Sequence, residues 1–88
     1  MAGYRVRIKP AAAKELDAIP KKDRRRLTLR IADLAGNPRP DGCRKLSGGD
    51  DYRIRQGDYR VIYSIHEAEK IVRILKIAHR KDVYRFHD

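Results

Sequence analysis

The sequence is poor in the residues that build disulfide-bonded, metal-clustered or membrane-spanning proteins. Of its 88 residues one is cysteine, one methionine and one phenylalanine, and tryptophan is absent. A lone cysteine, Cys43, excludes an intrachain disulfide and a cysteine-cluster metal site. It sits in a Pro/Gly/Asp/Arg-rich loop with no dyad partner beside it and reads as an incidental thiol. No apolar run approaches the ~20 residues that cross a bilayer. The N-terminal MAGYRVRIKP also lacks the apolar core of a secretory leader, so a reducing, cytoplasmic location away from any membrane is expected. Paired carboxylates, histidine pairs at ligand spacing, a phosphate-binding glycine loop and a serine-triad motif are all missing, which argues against metal-dependent or acyl-transfer chemistry. No metal and no cofactor is expected. Negative charge is scarce too: 12 Asp and Glu face 22 Lys and Arg, for a net charge of +10. Such an excess favours nucleic acid or an acidic protein surface as partner.

What is present is periodic, with no low-complexity tract or internal repeat. The length suits one domain over residues 1–88, with a modest core that buries roughly 60 to 65% of the unfolded surface. Tyr4, Val6 and Ile8 alternate with Arg5, Arg7 and Lys9, a strand with one apolar face that ends at Pro10. Ala12, Leu16 and Ile19 then make a helical stripe over Ala11–Ile19, closed by Pro20. A second helix from about Lys22 to Ala35 carries Leu27, Ile31 and Leu34 on one stripe and stops at Gly36-Asn37-Pro38. The basic residues Lys21, Lys22, Arg24, Arg25, Arg26 and Arg30 fall on its polar side. So short a connection implies an antiparallel helical hairpin over one face of a sheet. Asn37–Asp50 reads as a loop by its Pro, Gly, Asp and Ser content, with Leu46 pinning it to the core and Arg39, Arg44 and Lys45 adding positive charge. The apolar run Lys70–His79 is expected to be a central or nearly central strand. The fold class is α+β in the order β-α-α-β-β-β: a small, mainly antiparallel sheet with the helical hairpin on one face.

The densest chemistry lies between Asp51 and Tyr84. Tyr52 and Ile54 alternate with Arg53 and Arg55; past Gln56-Gly57-Asp58, the residues Tyr59, Val61, Tyr63 and Ile65 alternate with Arg60, Ile62 and Ser64. That is a β-hairpin, and strand side chains change face at every residue. The apolar set packs on the core while Arg53, Arg55 and Arg60 share the other face. Like charges on facing strands repel, a polyanion relieves the repulsion, and guanidinium forks fit phosphate oxygens. Tyr52, Tyr59 and Tyr63 are out of phase with the arginines, which places them in the core rather than on a base-stacking platform.

A first strand, a helical hairpin ending in NPRP, a KLSG segment, YRIR, the GDYRVIY hairpin and a strand ending IAHRKDVY together resemble the RelE branch of the RelE/ParE toxin superfamily. The resemblance spans about Tyr4 to Tyr84. It implies a toxin of a type II toxin–antitoxin system that cuts mRNA on the ribosome, contacts ribosomal RNA there, and is neutralised by a small acidic RelB-like antitoxin. It further implies working residues by motif: Arg53 and Arg55 in YRIR, Arg60 in DYRV, Arg80 in HRKD and Tyr84 in DVY. Arg60, Arg80 and Tyr84 are the catalytic candidates; Arg53, Arg55, His79, Arg44 and Lys45 are candidates for RNA binding. The best-known members carry lysines where Arg53 and Arg55 stand. Arginine does not release its proton, so a proton-donor role tied to those lysines does not transfer.

RNA cleavage without a metal needs three things: a deprotonated 2′-hydroxyl, stabilised charge on the in-line phosphorane, and a protonated 5′-oxygen. Arg60 and Arg80 suit the second task, clamping the scissile phosphate while Arg53 and Arg55 hold the backbone. Tyr84 is the candidate base, since clustered cations favour an ionised phenol. His79 is the other group able to move a proton, although it ends an apolar strand and alternates away from Arg80. Two further readings stand beside the nuclease: a ParE-like inhibitor that acts by binding DNA gyrase, and a non-catalytic nucleic-acid-binding module.

Overall fold

The computed structural model describes residues 3–81. In chain order these form strand β1 (Arg5–Ile8), helices α1 (Pro10–Asp17) and α2 (Lys21–Asp33), and strands β2 (Arg44–Lys45), β3 (Tyr52–Gln56), β4 (Tyr59–His66) and β5 (Ile71–His79). The sheet runs β1-β5-β4-β3-β2. Among the described residues only the β1–β5 pair is parallel; β5–β4, β4–β3 and β3–β2 are antiparallel. The α+β class and the interior, nearly central place of the last strand, between β1 and β4, are as the hydrophobic pattern requires.

Local signals set the helix ends. Pro10 opens α1, where its missing N–H costs nothing because first-turn donors have no helical partner. Pro20 precedes α2 as its N-cap, and Asp23 lies in that helix's first turn, where a carboxylate favours the macrodipole. An eight-residue helix such as α1 is too short to persist alone in water. Packing holds it instead. Ala12, Ile19, Leu27, Ile31 and Leu34 from the helical segment meet Ile54, Val61, Tyr63, Val72, Ile74 and Ile77 of the sheet in one buried cluster. Glu15 of α1 also reaches β5, accepting the Ile77 N–H at 3.0 Å and pairing with Lys76.

Three features depart from the simple alternation. First, the stretch read as a loop contains β2, whose Arg44 and Lys45 stand opposite Arg53 and Tyr52. A strand of two charged residues has no apolar alternation to betray it; it forms because β3 offers a free edge. Second, Cys43 rather than Leu46 packs against the core, and the turn is closed by the Leu46 N–H donating to the Asp51 carbonyl at 2.8 Å. Third, β5 carries a bulge: Ile62 faces Lys76 while Tyr63 faces Ile74, which leaves Leu75 with no partner. The extra residue re-aims the far half of β5, so that Ile77 as well as Ile74 reaches the core.

The β3–β4 hairpin closes through Gly57 and Asp58, between the opposed Gln56 and Tyr59. Gly57 has φ of 61°, at the first central position where a type II′ turn demands glycine. Tyr63, fully buried, donates its hydroxyl to the Pro38 carbonyl at 2.6 Å. That bond anchors the segment after α2 to the middle of the sheet.

Candidate nucleic-acid interface

The helices occupy one face of the sheet, and the opposite face carries the arginines. Along β4, Tyr59, Val61, Tyr63 and Ile65 belong to or pack against the core, so Arg60, Ile62 and Ser64 point the other way. Arg55 stands directly opposite Arg60, and Arg53 opposite Ile62. On β5, Arg60 faces Ala78, whose small side chain leaves room beside the guanidinium.

Arg80 follows β5 and is tied back to the hairpin turn. Its backbone N–H donates to the Asp58 carbonyl at 2.7 Å, and its Nε lies 3.7 Å from Asp58 Oδ1. A cleft of about 240 Å³ results, lined by Arg55, Gly57, Asp58, Tyr59, Arg60 and Arg80. Next to it a second cleft of about 340 Å³ is lined by Arg30, Gly42, Arg44, Arg53 and Arg55. Arg55 lines both.

The electrostatics follow from this crowding. Burial pushes the Arg60 guanidinium below its ordinary range, and the neighbouring charges of Arg55 and Arg53 push it further. Arginine stays charged under such pressure, and a bound anion would relieve the part that comes from its charged neighbours. Arg53 is only 4% exposed, whereas alternation alone would set it in solvent with Arg55. In the sheet it is flanked on both sides, by Arg44 on β2 and Ile62 on β4.

The structure therefore brings together Arg53, Arg55, Arg60, Arg80 and Arg44. It does not bring His79 there. His79 stands opposite Tyr59 and meets that ring edge-on with centroids 5.3 Å apart, while its Nδ1 accepts the Lys81 N–H at 3.2 Å. Lys45 is exposed and lies 3.6 Å from Asp50 in an ion pair. Tyr84 lies outside the described residues. Two charged lining residues went unselected by sequence reasoning. Arg30 borders the apolar stripe of α2, four residues before Leu34 and one before Ile31, and that border position was the available signal. Asp58 reads as a turn residue, and nothing in the sequence says that it meets Arg80.

A small sheet with a helical hairpin on one face and converging guanidinium groups on the other defines a class of protein with a cationic open sheet face, whose chemistry suits a polyanion. Comparison with known proteins narrows the class. The family model for the ParE toxin of type II toxin–antitoxin systems matches residues 6–84. The putative toxin RelE1 of Methanocaldococcus jannaschii is 30% identical over 86 residues, covering 93% of this chain and 96% of its own. Toxin RelG of Mycobacterium tuberculosis is 31% identical, covering 93% and 97%. Among solved structures, the archaeal RelE–RelB complex from Pyrococcus horikoshii superposes with a TM-score of 0.81 at 38% identity, over 91% of this chain and 98% of that one. An Escherichia coli RelE mutant in the free state shares the fold, with a TM-score of 0.76 at 23% identity over 99% and 95% of the two chains. The chain belongs to the ParE toxin family of type II toxin–antitoxin systems. It is a toxin, and the relatives named above are RelE and RelG toxins.

Proposed function

We propose that this toxin is an endoribonuclease that cuts mRNA on the ribosome without a metal ion. The observation that carries the reading is the convergence of Arg55, Arg60 and Arg80 on one cleft. Guanidinium groups fixed before substrate arrives stabilise the charge that builds on a pentacoordinate phosphorane. In the proposed step the 2′-oxygen forms a bond to phosphorus as the P–O5′ bond breaks. The 2′-hydroxyl proton passes to a base, and the departing 5′-oxygen takes up a proton. Arg60 and Arg80 hold the phosphate's non-bridging oxygens, and Arg53 and Arg55 hold the strand beside it. Tyr84 is proposed as the base. The ribosome supplies the alignment that arginines alone do not impose, which makes free RNA a poor substrate.

The partner that silences the toxin is proposed to be an acidic RelB-like antitoxin. The net charge of +10 favours an acidic binder, and the RelE of Pyrococcus horikoshii was solved in complex with RelB. The match to a ParE family model favours one alternative, a gyrase inhibitor acting by binding.

One experiment separates the two. The chain is induced briefly in a bacterial host and mRNA 5′ ends are mapped, while purified protein is incubated with RNA with and without ribosomes. Cuts within translated codons that require ribosomes support the nuclease. Intact message with growth arrest and DNA damage refutes it and favours the gyrase reading.

A further inference from the structure

A second cationic site lies on the same sheet face as the arginine cleft, at the opposite edge. Arg7 of β1 stands directly opposite Arg73 of β5, and Arg73 in turn faces Ser64 of β4. Val6 packs against the core, and Val72 and Ile74 are buried in it, so Arg7 and Arg73 project to the side that Ser64 and Arg60 share. With Ile8, Lys9 and Pro10 these arginines line a depression of about 270 Å³. All three cations are exposed. None of them enters a salt bridge among the described residues, whereas Arg39, Lys45, Lys76 and Arg80 each have a carboxylate.

Like charges placed directly opposite on adjacent strands destabilise a sheet. Strands lie about 4.8 Å apart, close enough for both guanidinium groups to reach one oxyanion. Along β4, Ser64 is four residues from Arg60, about 13 Å at the rise of an extended strand. A single RNA strand lying in the cleft therefore reaches the depression by crossing the sheet face. The basic run Lys21, Lys22, Arg25 and Arg26 also lines a depression, but α2 packs on the other face and a strand in the cleft does not meet it.

We propose that Arg7, Lys9 and Arg73 form a second phosphate subsite for the RNA strand held in the arginine cleft. The inference rests on the nuclease reading and adds to it a defined path for the strand across the sheet. An acidic peptide is the competing occupant, and the test admits it.

The test measures binding of oligouridylates of increasing length by fluorescence anisotropy, for the wild-type chain and a variant with Arg7→Gln and Arg73→Gln. Wild-type affinity is expected to rise in a step once the oligomer is long enough to span both sites. The variant is expected to lack the step, to bind the shortest oligomers as the wild type does, and to melt no lower. Its slope of log affinity against log salt is expected to be shallower by about 0.7, one phosphate contact at the single-strand value. An unchanged length dependence overturns the subsite even where wild-type protein cuts message on ribosomes. So does a variant that binds every RNA normally but loses an acidic antitoxin peptide. Absence of both the wild-type step and ribosome-dependent cutting overturns the subsite together with the reading beneath it.

Discussion

Arg55 and Arg60 face each other across β3 and β4, one residue pair before the hairpin turn. Two cations in that relationship cost the free protein stability, and both line the cleft in which Arg80 also stands. Stability and activity are therefore expected to move in opposite directions on mutation. Arg55→Thr removes the repulsion and adds a strand-favouring residue, so it is expected to raise stability by about 0.2–1 kcal/mol while weakening RNA binding. Urea unfolding with an RNA-binding titration checks both. A variant that is both weaker-folding and normal in binding would contradict the assignment.

Arg60→Ala and Arg80→Ala each remove a proposed phosphate donor and are expected to lower the cleavage rate on ribosomes by about 10²–10³-fold. Neither should prevent folding. Growth of cells expressing each variant, beside circular dichroism of the purified protein, provides the measurement. Persistent toxicity in both variants would remove these arginines from the mechanism.

Asp58 holds Arg80 at 3.7 Å in the free protein, with both side chains well exposed. An exposed pair of this kind contributes roughly 0–1 kcal/mol, which a phosphate must displace. Asp58→Asn is expected to tighten RNA binding by up to about five-fold at low salt, the same energy expressed as an affinity. The gain should shrink as salt screens the charges. Weaker binding in this variant would show instead that Asp58 orients Arg80.

Tyr63 donates to the Pro38 carbonyl from a fully buried position, and burial pushes its phenol well above the ordinary range. Tyr63→Phe leaves that carbonyl without its donor and is expected to cost about 1–3 kcal/mol. Because the bond secures the segment after α2, amide exchange there should rise more than in β5. Equal exchange in wild type and variant would count against that anchoring role.

Glu67 accepts the Tyr4 hydroxyl at 2.6 Å and pairs with Arg39 at 2.8 Å. The Tyr4 hydrogen bond first, and Arg39 next, hold its carboxyl below the ordinary value of 4.5. A depressed carboxyl stabilises the fold above its unfolded-state value, and that contribution is lost as the pH falls through the folded value. Glu67→Gln is therefore expected to narrow the stability gap between neutral and acidic solution. Denaturant midpoints across that range decide it, since parallel pH profiles for the two proteins would rule the contribution out.

Much of this arrangement was legible in one dimension because strands and helices write their periods into the chain. Tyr59, Val61 and Tyr63 against Arg60 and Ile62 set both the hairpin and the face on which Arg60 stands. The bulge at Leu75 was not legible, since an apolar run such as IVRILKIA reads equally well in either register. Nor was β2, whose two charged residues form a strand only because the edge of β3 is available.

The chain by itself determined the α+β class, the helical hairpin, the interior place of β5 and the common face of Arg55 and Arg60, all through local period and the need to bury apolar side chains. Tertiary structure alone decided that Arg53 is buried, that Arg30 and Arg44 join it in one cleft, that Asp58 meets Arg80, and that Arg7 lies beside Arg73. Those relationships join residues far apart in sequence or across a turn. They depend on strand order and register, which arise from the packing of the whole sheet and leave no mark at any single position.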